Sequence, residues 1–144
     1  METVQRQTSP PTEVFEPEGT MRAVIQERYG TPEVLELRHV DPPVTGDHDV
    51  IVRVHATTVT ATEAVFRQGK PYVARLFTGL AGPKIKTLGE EFAGEVVATG
   101  KDVTKFSVGE QVFGTAGPGF GATAEFLLAS EDEAIVRKPD NMTS

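Results

Sequence analysis

Two adjacent glutamates, Glu90 and Glu91, stand inside "TLGEEFAGEVVATG", between a turn glycine and an alternating apolar run. Carboxylates bind zinc, and a catalytic zinc takes three protein ligands from Cys, His and acidic residues. The remaining candidates are three scattered histidines. His55 falls on the expected solvent face of a strand, His48 follows Gly46 and Asp47 in a turn, and His39 lies near a strand end. None has a second ligand at helical or hairpin spacing, so each reads as a surface histidine and no metal site is expected. A pair of carboxylates also serves as general acid and base when burial and repulsion separate their pKa values. Neighbours on an extended chain point to opposite faces, so one of the two should face inward and the other outward. A buried carboxylate held by backbone N–H groups or an arginine fits equally well.

"GPGFG" (Gly117 to Gly121) has the composition of a phosphate-binding loop. The dinucleotide fingerprint needs a strand before it, a helix after it and an acid about 20 positions on. The next residues, "ATAEFLLAS", are strand-like, so a flexible surface loop accounts for the glycines. There is no G-x-S-x-G elbow and no P-loop, and no catalytic residue is assigned.

The elements that must position these residues are mostly strands. "MRAVIQER" and "VLELRHV" flank "YGTPE", whose Gly30 and Pro32 suit a turn, predicting a hairpin. "DVIVRVHATTV" alternates, with Val50, Val52, Val54 and Ala56 expected inward and Ile51, Arg53 and His55 outward. "ATEAVFRQG" (Ala61 to Gly69) predicts a short helix closed by a left-handed glycine. "KPYVARLFTGLAGPKIK" reads as an irregular excursion. "FAGEVVAT", "EQVFGTA", "ATAEFLLAS" and "EAIVRKP" are short strands between glycine-bearing turns, the pattern of a partly open β-barrel or a sandwich. "GKDVTKFSVGEQV" places an apolar residue or glycine at every third position, which predicts a loop that tucks Val103 and Phe106 beneath the barrel.

Composition bounds the rest. The 144 residues suffice for one core, and the absence of cysteine removes disulfides and thiolate zinc sites. A formal charge of −7 disfavours nucleic acid as a partner. No apolar run spans a bilayer and no signal peptide is legible, so a cytoplasmic protein without membrane contact is expected. Residues 1–20, with three prolines and four acids against one base, read as a flexible N-terminal extension or a docking arm, leaving 21–144 as the folded domain. "KPDNMTS" puts Asn141, Thr143 and Ser144 where a helix N-cap belongs, so the chain reads as the first part of a longer protein.

Taken together, "MRAVIQERYGTPEVLELRHVDPPVTGDHDVIVRVHATTV", "LGEEFAGEVVATGKDVTKFSVGEQVFG", "GATAEFLLA" and "KPDNM" resemble the N-terminal, GroES-like catalytic domain of the medium-chain dehydrogenase/reductase superfamily. The match is closest to its zinc-independent quinone oxidoreductase branch and to related NAD(P)-dependent alcohol dehydrogenase-like proteins. The resemblance implies a mostly β, GroES-like, partly open β-barrel with one or two short helices. In zinc-dependent members Gly89-Glu90-Glu91 reads Gly-His-Glu, whose His binds zinc, and the position of Thr60 holds a Cys ligand. In zinc-free relatives the residue at Thr60, often Asn, lies near the nicotinamide, and the one at Val65 is often a Tyr facing the substrate.

The resemblance thus makes Thr60, Val65 and Glu90 the substrate-cleft residues, with Thr60 beside the cofactor and no metal. The substrate it implies is a small carbonyl, enone or quinone, and a homodimer is compatible with the parent enzyme it implies. NADPH or NADH would sit on a following doubly wound domain, so this chain alone should bind neither and transfer no hydride. The competing reading is a non-enzymatic β-barrel module that engages other proteins, in part through its acidic tail.

Overall fold

A computed structural model describes Phe15 and residues 19–142. Strands β1 (Met21–Gln26) and β2 (Leu35–Val40) form an antiparallel hairpin running from Met21↔Val40 to Gln26↔Leu35, as the turn at Gly30 and Pro32 predicts. Five further strands build an antiparallel sheet. They are β3 (Asp49–Thr57), β4 (Glu91–Thr99), β5 (Gln111–Thr115), β6 (Phe126–Ser130) and β7 (Ile135–Arg137), in the order β6-β3-β4-β5-β7.

The hairpin joins the larger sheet through isolated bridges, Ala23↔Ala124 and Ile25↔Thr87. The Arg22 guanidinium and backbone N–H both donate to the Glu125 carboxylate, at 2.8 Å each, which pins this junction. The result is a mostly β, open architecture, as expected. Two short α-helices lie between β3 and β4: α1 (Ala61–Gln68) and α2 (Arg75–Thr78). The excursion after α1 is thus a helical turn rather than wholly irregular chain. Arg75 holds it back, because its guanidinium donates to the carbonyls of Gln68 and Gly69 and stacks between the rings of Tyr29 and Tyr72. Among the described residues no helix is long and apolar enough to cross a membrane.

Val50, Val52, Phe92, Val96, Val112, Leu127 and Ile135 form the main core. Phe106 is buried in it and Val103 packs against it, as the every-third-residue pattern predicts. The Glu131 carboxylate fixes that loop by accepting the backbone N–H groups of Thr104 and Lys105, each at 2.8 Å.

The inward and outward faces of β3 differ from the alternation. Ile51, expected outward, is only 2% exposed and joins Val97 and Ala98 in a second cluster, covered by Phe15 and Phe126. Ala56, expected inward, is exposed. Ile51 still points away from the valine face, which packs on the main core; it is buried because Val97, Ala98, Phe15 and Phe126 cover that second side, whereas the register shift at Val54/Ala56 inserts a residue into β3 just before Ala56. Of residues 1–20, all but Phe15, Gly19 and Thr20 lie outside the described residues, as do Thr143 and Ser144 of the expected N-cap; Asn141 lies in a turn.

Candidate functional site

Helix α1 forms where good helix formers follow a capping residue. Thr60 is that cap: its backbone is extended, and its Oγ1 accepts the Glu63 N–H at 3.3 Å. At the other end Gly69 adopts φ 64, and its N–H closes onto the carbonyls of Phe66 and Val65. A Cβ there would also stand 2.6 Å from the Tyr29 ring, so both conformation and packing require glycine.

Thr60 and Glu90 are both half-buried. They are linked through one residue between them. Glu63, only 3% exposed, gives its N–H to Thr60 Oγ1 and takes the Glu90 N–H on its Oε1 at 3.1 Å. Val65 is 47% exposed on α1 and takes no part in this link.

The glutamate pair differs in burial in the expected sense, although neither member is fully buried. Glu90 is half-buried and Glu91 is exposed. Glu91 is tied to the end of β3, its carboxylate accepting the Thr58 hydroxyl and its carbonyl the Thr57 hydroxyl, both at 2.8 Å. The buried carboxylate that a backbone N–H of this segment reaches is Glu63, as Glu131 is held elsewhere by two. Sequence reasoning does not single out Glu63, although Thr60-Ala61-Thr62-Glu63 has the T-x-x-E spacing of a capping box.

The loop after β5 is also more than a surface turn. Phe120 in "GPGFG" packs edge-on against Phe66 of α1 at 5.1 Å, so the glycines let the chain fold back onto the helix. A groove of about 620 Å³ lies along β3, β4 and β5, lined among others by His55, Thr58, Glu91, Phe113 and Thr115; Thr60, Val65 and Glu90 are not among its lining residues. His39 and His55 are exposed, and His48 stands 3.7 Å from the Glu131 carboxylate. Among the described residues no three of His, Cys, Asp and Glu gather as metal ligands.

Chemically, the site offers a hydroxyl and carboxylates for hydrogen bonding. The Thr60 oxygen already accepts a bond from Glu63, which leaves its hydroxyl proton to be donated to an incoming carbonyl oxygen. Thr60 and Glu90 supply neither thiolate nor imidazole, and this donor set does not fit a tetrahedral zinc.

A family model of the alcohol dehydrogenase GroES-like domain matches residues 46–140. The chain belongs to that family. It is 38% identical over 114 residues to a quinone oxidoreductase of Pseudomonas aeruginosa, covering 79% of this chain and 32% of that protein. The solved quinone oxidoreductase of Coxiella burnetii superposes with a TM-score of 0.74 at 31% identity, covering 86% of this chain and 38% of that one. The Escherichia coli quinone oxidoreductase, solved in complex with NADPH, shares the fold at a TM-score of 0.71 and 21% identity, over 85% of this chain and 34% of that one. This chain thus spans about a third of the length of these relatives.

Proposed function

We propose that this chain forms the substrate-side wall of a zinc-independent, NAD(P)H-dependent oxidoreductase that reduces a small carbonyl, enone or quinone. The observation that supports the reading is that Thr60 and Glu90, which the resemblance aligns with the thiolate and imidazole ligands of zinc-binding members, are joined through Glu63, which gives its N–H to the Thr60 hydroxyl oxygen and accepts the Glu90 backbone N–H. The likeness to quinone oxidoreductases supports the acceptor class, and the NADPH complex of the Escherichia coli protein supports the cofactor.

The bound nicotinamide would supply the hydride; this chain's residues hold and orient the acceptor. Thr60 donates its hydroxyl to the acceptor oxygen, Val65 offers an apolar surface, and Glu90 forms a polar wall. In the absence of a metal, positioning against the cofactor contributes most of the rate.

Titration of NADPH fluorescence tests this division of labour. The 144-residue chain should give no micromolar binding, and such binding would move the cofactor site onto this domain. Zinc added in a calorimeter should give no stoichiometric heat; tight one-to-one binding would overturn the zinc-free assignment. In a longer polypeptide that carries this chain, NADPH oxidation should depend on a small quinone or enone, and Thr60→Val should lower kcat more than KM for NADPH.

A second reading, a non-enzymatic interaction module, draws on Val73, Leu76, Phe77 and Leu80, on and beside α2, which are 61 to 80% exposed. NADPH-linked reduction by the longer polypeptide would exclude it as the main role.

A further inference from the structure

We propose that Glu63 is a positioning residue, which sets the separation of Thr60 and Glu90 and thereby the shape of the cleft wall. The inference rests on the functional reading above for its catalytic consequence, and on geometry alone for its structural one.

Residues 88–90 are held from two sides. On one side their carbonyls face the loop before β6. Leu88 accepts the N–H groups of Gly121 and Thr123 and the Thr123 hydroxyl, Gly89 accepts the Ala122 N–H, and Glu90 accepts the Ala116 N–H. On the other side stands α1. Among the hydrogen bonds of the described residues, the one joining α1 to this segment is Glu90 N–H to Glu63 Oε1, at 3.1 Å across 27 positions of sequence.

An acid in the first turn of a helix is favourable even when fully hydrated, because it faces the positive end of the helix dipole. Glu63 instead lies 3% exposed, where an ionised carboxylate is costly unless it is hydrogen-bonded. Its place is explained by what it reaches. One residue contributes a main-chain donor to Thr60 and a side-chain acceptor to Glu90, so a movement of α1 carries both cleft residues together.

Amide hydrogen exchange on the 144-residue chain tests the link directly. In Glu63→Ala the Glu90 amide should exchange roughly tenfold faster or more, while the Ala116 and Val96 amides stay within about threefold of wild type. Glu63→Gln keeps a carbonyl acceptor and should retain Glu90 protection. Glu63→Asp withdraws the acceptor by about 1.5 Å, beyond hydrogen-bond reach, and should fold yet lose that protection, which decides the matter if the alanine variant does not fold. An unchanged Glu90 amide in both Ala and Asp variants overturns the proposal, and so does acceleration of all amides alike.

In a longer polypeptide with NADPH-linked activity, Glu63→Asp should lower kcat roughly tenfold with KM for NADPH little changed, and Glu63→Gln should restore it. A wild type without such activity sinks the functional reading and leaves the exchange result to judge the link.

Discussion

Thr60 Oγ1 accepts the backbone N–H of Glu63 at 3.3 Å, so the side chain assigned to the cleft is also the one that starts α1. The two roles use different parts of the hydroxyl, the lone pair for the helix and the proton for a ligand. Thr60→Ala should therefore lower stability by about 1 kcal/mol, and Thr60→Ser should recover most of it. Urea unfolding of the three proteins measures this; equal midpoints would mean that the cap contributes nothing.

Gly89 precedes Glu90 with φ at +96°, and a Cβ on it would stand 2.5 Å from the Thr123 backbone nitrogen. Neither the conformation nor the space admits a side chain. Gly89→Ala should cost about 1–3 kcal/mol from backbone conformation alone, with displacement of the 121–123 loop in addition. Thermal unfolding should show the loss, and the Thr123 amide shift in an NMR spectrum should report the displacement.

Acid should loosen the loop at residues 103–106. The Lys105 and Thr104 N–H groups hold the Glu131 carboxyl below the usual carboxylate range. A carboxylate with a lowered folded pKa contributes stability above its unfolded pKa, and that contribution is lost as pH falls through the folded value. Glu131→Gln should therefore be less stable than wild type at pH 7, and the gap should close as pH drops below the ordinary carboxylate range. Unfolding midpoints across pH 3 to 7 decide it; a gap that widens in acid would refute the assignment.

Glu133 should behave in the opposite sense. Burial pushes its carboxyl up, Asp49 adds to this, and its Oε2 is buried with no hydrogen-bond partner among the described residues. A carboxylate with a raised folded pKa favours the fold below its unfolded pKa and loses that contribution as pH rises through the folded value. Glu133→Gln should raise the unfolding midpoint at pH 7, with the gain shrinking toward pH 4. A variant less stable than wild type at pH 7 would show that the charge is compensated.

Much of the fold is legible in the sequence because its determinants are local. The hairpin arises from turn chemistry at Gly30 and Pro32, and α1 runs between its N-cap and its left-handed glycine. The tucked loop reflects the spacing of Val103 and Phe106. The site is legible only in part. Thr60 and Glu90 stand out by resemblance, whereas Glu63 does not, because its partner lies 27 residues away.

The amino-acid order alone located the strands, the turns and helix α1, though not every strand end, since alternation, capping and glycine conformation act within a few residues of chain. Only the tertiary structure decided which carboxylates are buried, that the second side of β3 is covered as well as the valine side, and where Phe120 rests. Those outcomes depend on strand register, on two bulges and on contacts between segments distant in sequence, and no local pattern encodes them.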